Sequence, residues 1–229
     1  MEKIMETHFD EELAHLKQKM LSMAAYAEEM IELAVRSLVQ RKKEVAERVL
    51  LIEEKVNTLE IENENEVVRL IARWQPKAKD LRFLMGVAKI NSDLERVADQ
   101  ACNIAQTVFY LLNEPQLKPL IDIPNMATLA QRMIKDSLDA FVNHDPKLAK
   151  IVCEHDDEVD RIHEQVFREL LTYMMEDPKS ITRAVDLILI SRNLERIADH
   201  ATNISEEVIF IEEGRNIKHH ATEEKNEQP

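Results

Sequence analysis

Apolar residues recur at threes and fours along nearly the whole chain. Leu13, Leu16, Met20, Met23, Ala27, Met30, Ile31, Ala34 and Leu38 mark one face of an amphipathic helix over residues 8–40. A charged turn, Arg41-Lys42-Lys43, separates it from a second run: Val45, Val49, Ile52, Val56, Leu59, Val67, Leu70 and Ile71. Pro76 ends that helix, because proline lacks a helical donor and disfavours helix at the residue before it. A third helix is expected over residues 77–113, with a row of small side chains at Ala88, Ala98, Ala101 and Ala105. Pro115, Pro119 and Pro124 then break the pattern at the midpoint of the chain. Beyond them the same rhythm predicts helices over residues 125–143, 146–176 and 179–213.

The second half repeats the first. Met30/Met133, Ile31/Ile134, Val39/Val142, Ala46/Ala149, Val49/Val152 and Val56/Val159 match at an offset of 103. Residues 90–104 and 190–204 agree at nine of fifteen positions, at an offset of 100. A steady register within helices and small shifts at the turns are what a duplicated three-helix unit leaves behind. The expected fold is all-α: two tandem antiparallel three-helix bundles. The first covers residues 1–114 and the second 125–213, joined by a proline-rich linker at 115–124. Residues 214–229 are polar and charged, and are expected to be a disordered tail.

Composition supports long helices. There are only two glycines, Gly86 and Gly214, and few aromatics. The net charge of −14 argues against nucleic acid and against docking by charge on an anionic membrane, both of which need a cationic footprint. Cations or a basic protein patch are the natural partners of such a surface. No apolar run reaches a membrane span and no signal peptide is recognisable at the N-terminus. Cys102 and Cys153 lack metal-finger spacing and read as reduced thiols of a cytosolic protein.

The duplicated segment carries the candidate chemistry. Glu95, Asp99 and Asn103 lie one turn apart on one helix face, and Glu195, Asp199 and Asn203 repeat the row. Like charges at that spacing cost a helix a few tenths of a kcal/mol unless something neutralises them. Carboxylates on facing helices are the ordinary way for a bundle to hold a metal. The second helix of each half offers partners: Glu53, Glu54, Glu60 and Glu64, then Asp156, Asp157, Asp160 and Glu164. Asp160 aligns with Asn57, and Asp93 with Asn193, so the two sites are expected to differ at those positions. The candidate ligands are Asp93, Glu60, Glu95, Asp99 and Asn103 in one half, and Asp160, Glu164, Glu195, Asp199 and Asn203 in the other. Oxygen donors suit Mg, Ca or Mn, and bridging carboxylates suit Fe clusters. A competing reading pairs Arg96 and Arg196 with these acids in a metal-free ionic network. Glycine-rich phosphate loops, His-Glu-x-x-His and nucleophile elbows are absent, and the second Glu-x-x-His that a di-iron bundle needs is missing.

At Asp93-Leu94-Glu95-Arg96-Val97-Ala98-Asp99 and Asn193-Leu194-Glu195-Arg196-Ile197-Ala198-Asp199 the chain resembles the PhoU family of bacterial phosphate-signalling proteins. Further likeness lies in Thr7-His8-Phe9-Asp10-Glu11-Glu12-Leu13, in Pro76 followed by Asp80-Leu81-Arg82, and in the acidic second helix. Asn57 stands where the family usually has an acid, and Ala98 and Ala198 where it often has Gly. The resemblance implies two three-helix bundles whose Glu-x-x-x-Asp motifs bind divalent or trivalent metals (Fe, Zn, Mg, Mn or Ca), singly or as clusters. It implies a homodimeric, non-enzymatic repressor of the phosphate-starvation response, in the cytoplasm or held at the inner membrane through its partners. Those partners would be the ATPase subunit of the phosphate ABC transporter and a membrane sensor histidine kinase. The alternatives are a metal-dependent enzyme acting on phosphate compounds, for which no general acid or nucleophile is recognisable, and a metal-free helical interaction module.

Overall fold

The computed structural model describes residues 2–215 and 217, with side chains from His8 onward. Most of the expected tail lies outside the described residues. Six long helices follow in order: α1 (Glu2–Gln40), α2 (Lys43–Trp74), α3 (Lys79–Leu111), α4 (Asp122–Asn143), α5 (Pro146–Glu176) and α6 (Ile181–Glu213). A 3-10 turn at Pro178–Ser180 leads into α6, and no strand occurs among the described residues. The helices α1, α2 and α3 pack pairwise into one bundle, and α4, α5 and α6 into another. This is the duplicated three-helix unit the repeats predict. No helix among the described residues is long and apolar enough to cross a membrane.

With so little glycine, the helices end on other residues. Arg41, Gln75 and His144 take the left-handed conformation at helix ends, and only α6 ends on glycine, Gly214. Pro124 falls inside the first turn of α4, where proline's missing N–H costs no bond. That is why α4 starts at Asp122, earlier than the prolines suggest. Asp145 caps α5 by accepting from the N–H groups of Lys147 and Leu148, just ahead of Pro146.

The turn residues Arg41 and His144 occupy equivalent places, 103 apart, and both lock distant helix ends. Arg41 donates to the carbonyl oxygens of Leu111, Leu112 and Glu114, the natural station for a cation at the end of α3. His144 Nδ1 meets Glu212 near the end of α6, while Lys17 from α1 reaches its Nε2 at 3.0 Å. Burial alone would raise the Glu212 carboxyl, but His144 and Lys79 hold it below the usual range.

The two bundles are not beads on a string. α3 and α6 cross along a seam as extensive as any within a bundle, and buried apolar residues of both halves form one cluster. Leu94 and Leu194, equivalent by duplication, are both fully buried. At the seam Gly86 lets α6 come close: a Cβ there would sit 2.4 Å from Ile211 Cδ1.

One core position is solved differently in the two halves. Asn63, fully buried, donates to Asn91 Oδ1 at 3.0 Å, and Asn91 donates to the Glu60 carbonyl. The Asn63 Oδ1 has no partner. The second half places Val166 and Ser191 at these positions, with Ser191 bonded to His163. A buried unpaired oxygen costs about 1–3 kcal/mol. The double substitution Asn63→Val/Asn91→Ser is therefore expected to raise stability by about 1 kcal/mol. Asn63→Val alone should do less well, because it strands Asn91 Oδ1. Urea unfolding of both variants checks the order; a double variant less stable than the single one contradicts it.

Candidate metal centre

The acidic rows of α3 and α6 face the middle of α2 and α5 respectively. In the first half Glu95 and Asp99 are half-buried and hydrogen-bonded to each other. Burial, then Asp99 and Glu60, push the Glu95 carboxyl above the usual range, against a smaller opposing pull from Arg96. Cys102 lies one turn on from Asp99, on the flank of the row. Burial and then the nearby Glu53 carboxylate, which bonds to it, push its thiol well up. The α2 members of this cluster are thus Glu53 and Glu60.

The second half is more acidic. Asp156 Oδ1 is buried without a hydrogen-bond partner. Burial, then Asp199, Asp160, Asp157 and Glu195 in that order, push this carboxyl up to about 6. Glu195 and Asp199 are also raised: desolvation leads in both, although Asp199 keeps an exposed face, followed by Asp199 and Asp160 for Glu195, and by Asp160 for Asp199. His163, which pulls Glu195 back down, sits at the position equivalent to Glu60.

Not every expected ligand joins these clusters. Asp93 lies two residues from Glu95, about 200° round the helix, and so stands apart from the Glu95–Asp99 row. It is buried in the α3–α6 seam, where His200 Nδ1 approaches at 2.9 Å and Asn203 donates from 3.4 Å. Asp93 and Asn203, expected in separate sites, therefore meet each other. Asn103 is exposed, and Glu164 is exposed and paired with Arg168. Asp160 is exposed but acts on Asp156, Glu195 and Asp199. Glu53 and Asp156, equivalent at the offset of 103, belong to the clusters more clearly than Glu164. Their alignment as acids was the available signal.

The residues fit a cation by charge and donor type. Four carboxylates per half lie on two facing helices, an oxygen is orphaned at Asp156, and burial first, then neighbouring acids, raises the carboxyls of Glu95, Asp156, Glu195 and Asp199. Among the described residues, however, no three His, Cys, Asp or Glu side chains are gathered closely enough to grip an ion as they stand. A bound metal would need rotamer changes at these positions.

The raised carboxyls fix a pH dependence. Each holds its proton more tightly folded than unfolded, so its contribution to stability is full below about pH 4 and is lost as the pH rises; for Asp156 that loss runs through about pH 6. Glu12, Glu66 and Glu212 are lowered by their Arg, Trp, His and Lys neighbours and act at more acid pH. The metal-free protein should thus lose thermal stability between pH 4.5 and 6.5, and Asp156→Asn should flatten that slope. A melting temperature that rises over the same interval contradicts the cluster.

Comparison with known proteins agrees with the repeat. The PhoU domain matches twice, over residues 20–108 and 123–208. The chain is 42% identical over 216 residues to the phosphate-specific transport system accessory protein PhoU homolog of Aquifex aeolicus, covering 94% of this chain and 98% of that protein. A homolog of the same name in Pseudomonas putida is 37% identical, covering 92% of this chain and 83% of its own. The crystal structure of PhoU from Pseudomonas aeruginosa superposes with a TM-score of 0.88 at 36% identity, over 90% of this chain and 100% of that one. The phosphate transport system regulatory protein PhoU of Streptococcus pneumoniae gives 0.83 at 29% identity, over 91% and 98%.

Proposed function

The chain belongs to the PhoU family, and on that premise we propose that it regulates phosphate transport and the phosphate-starvation response as an adaptor, not a catalyst. The observation that carries this reading is the pair of PhoU domains, each presenting a carboxylate row across two helices. The relatives named as transport system accessory and regulatory proteins support it. Its expected partners are the ATPase subunit of the phosphate ABC transporter, a membrane sensor histidine kinase and a second copy of the chain. Its place is the cytoplasm, or the inner membrane through those partners.

Metal binding is part of the proposal. Glu53, Glu60, Glu95 and Asp99 would hold an ion in the first half, and Asp156, Asp160, Glu195 and Asp199, with His163 nearby, in the second. A bound cation supplies positive charge that offsets the mutual repulsion of these acids. Oxygen donors favour hard ions, and the imidazole admits Zn or Fe in the second half. The open spacing of the donors favours the competing metal-free interaction module.

Deleting the gene in its host should derepress phosphate-scavenging genes in high phosphate, and re-expression should restore repression. Unchanged expression in the deletion strain would overturn the regulatory role.

A further inference from the structure

The duplicated halves differ on one surface. On α5, Phe167, Leu171 and Met175 are exposed at i, i+4, i+8; on α6, so are Ile181, Val185 and Leu189. Large apolar side chains bared in such rows mark interaction surfaces. Met175 is the most exposed, at 84%.

The two rows lie side by side. The contacts from His163 to Ser191 and from Ser180 Oγ to the Tyr173 carbonyl set the antiparallel register of α5 and α6. In that register Met175 lies level with Ile181, Leu171 with Val185, and Phe167 with Leu189. Steps of three and four carry the rows to the acids: 160, 164, 167, 171, 175 on α5 and 199, 195, 192, 189, 185, 181 on α6. One face therefore reads apolar near the α5–α6 turn and acidic farther along. The equivalent positions of the first half are Glu64, Val68, Ala72, Leu81, Met85 and Lys89, and Lys89 is tied to Glu207. Only the second half carries the full strip.

We propose that this strip docks an amphipathic helix of another protein, with an apolar face over Phe167, Leu171, Met175, Ile181, Val185 and Leu189 and Lys or Arg where that helix meets Asp156, Asp160, Glu195 and Asp199. Charge selects this occupant. Every neighbour acting on Asp156 is negative, whereas Arg168 is already held by Glu164 and Arg192 acts on Glu195. A second copy of this chain would bring another −14 and a second set of the same acids. Six side chains also fall short of the roughly 20–30 residues a side that a stable homodimer uses, but they suit one helix laid in a groove. The inference rests on the adaptor reading only in assuming a protein partner, and on no metal.

The probe is a fluorescein-labelled 20-residue designed helix with Leu at i, i+4 and i+8, followed by Lys on the same face. Its anisotropy is read against the full chain with chelator present. Binding is expected, weakened at least about tenfold when Glu replaces the probe's Lys, and at least about tenfold by Leu171→Asp/Val185→Asp. Val68→Asp/Met85→Asp in the first half should leave it unchanged. Circular dichroism confirms folding, and Phe167→Gln/Leu189→Gln repeats the test should the aspartates unfold the chain. No binding by the probe, or equal binding to parent and strip variants, overturns the docking surface and leaves the regulatory role standing. So does sedimentation showing that the strip variants break a dimer of the parent, which would make the strip a self-interface.

Discussion

Glu195→Gln/Asp199→Asn is expected to stabilise the metal-free protein and at the same time remove its stabilisation by metal. The two effects have opposite signs because one cause underlies both. In the second half, burial and then neighbouring acids, Asp160 among them, raise the carboxyls of Asp156, Glu195 and Asp199, so the metal-free fold is strained by its own charge. Neutral amides keep the shape and remove the repulsion, for a gain of about 1 kcal/mol, or roughly 2–4 °C in a chain of this length. The same amides are poor ligands. Saturating metal at about 100 times its dissociation constant stabilises a native protein by about 2.7 kcal/mol, which the parent should show and the variant should lose. Thermal melts with and without added Mn, Zn or Fe read both effects. A variant that is less stable without metal, or equally responsive to it, contradicts the cluster.

Gly86→Leu should be the most damaging single change at the seam between the halves. A helix interior disfavours glycine by about 1 kcal/mol relative to alanine, so Gly86 is kept at a cost to α3. Its Cβ position is already filled by Ile211, with Cδ1 at 2.4 Å and Cγ1 at 2.6 Å. A leucine there forces α3 and α6 apart and should cost about 3 kcal/mol, lowering the melting temperature by roughly 6–12 °C. Gly86→Ala should lie near neutrality, since better helix propensity offsets the displacement of one isoleucine end. Ile211→Ala should rescue much of the Gly86→Leu loss. Independent, additive effects in that cycle would mean the two side chains do not compete for one space.

How much of this was legible in the sequence follows from geometry. Period and repeat disclosed the six helices and the doubling, because each helix has a single buried stripe. Glu95/Asp99 and Glu195/Asp199 were legible as facing rows because i, i+4 spacing fixes one face whatever the tertiary structure. Asp93 is close to Glu95 in sequence but sits apart from its row, because two residues turn the helix by about 200°. On α2 and α5 acids occupy several faces, so the local pattern could not separate Glu53 and Asp156 from Glu164; packing against α3 and α6 did. The α3–α6 seam was not legible, because a row of small residues such as Ala98, Ala101 and Ala105 shows that a helix comes close but not which one. The apolar strip on α5 and α6 was concealed, since exposed and buried apolar residues look alike in sequence until the partner helices are placed.

The central claim is that the doubled carboxylate rows hold cations. Anomalous diffraction from crystals of the protein soaked in Mn, Zn or Fe tests it most directly. The account predicts metal peaks between α2 and α3 beside Glu95 and Asp99, and between α5 and α6 beside Glu195 and Asp199. Soaked crystals with no anomalous density at either place would contradict it.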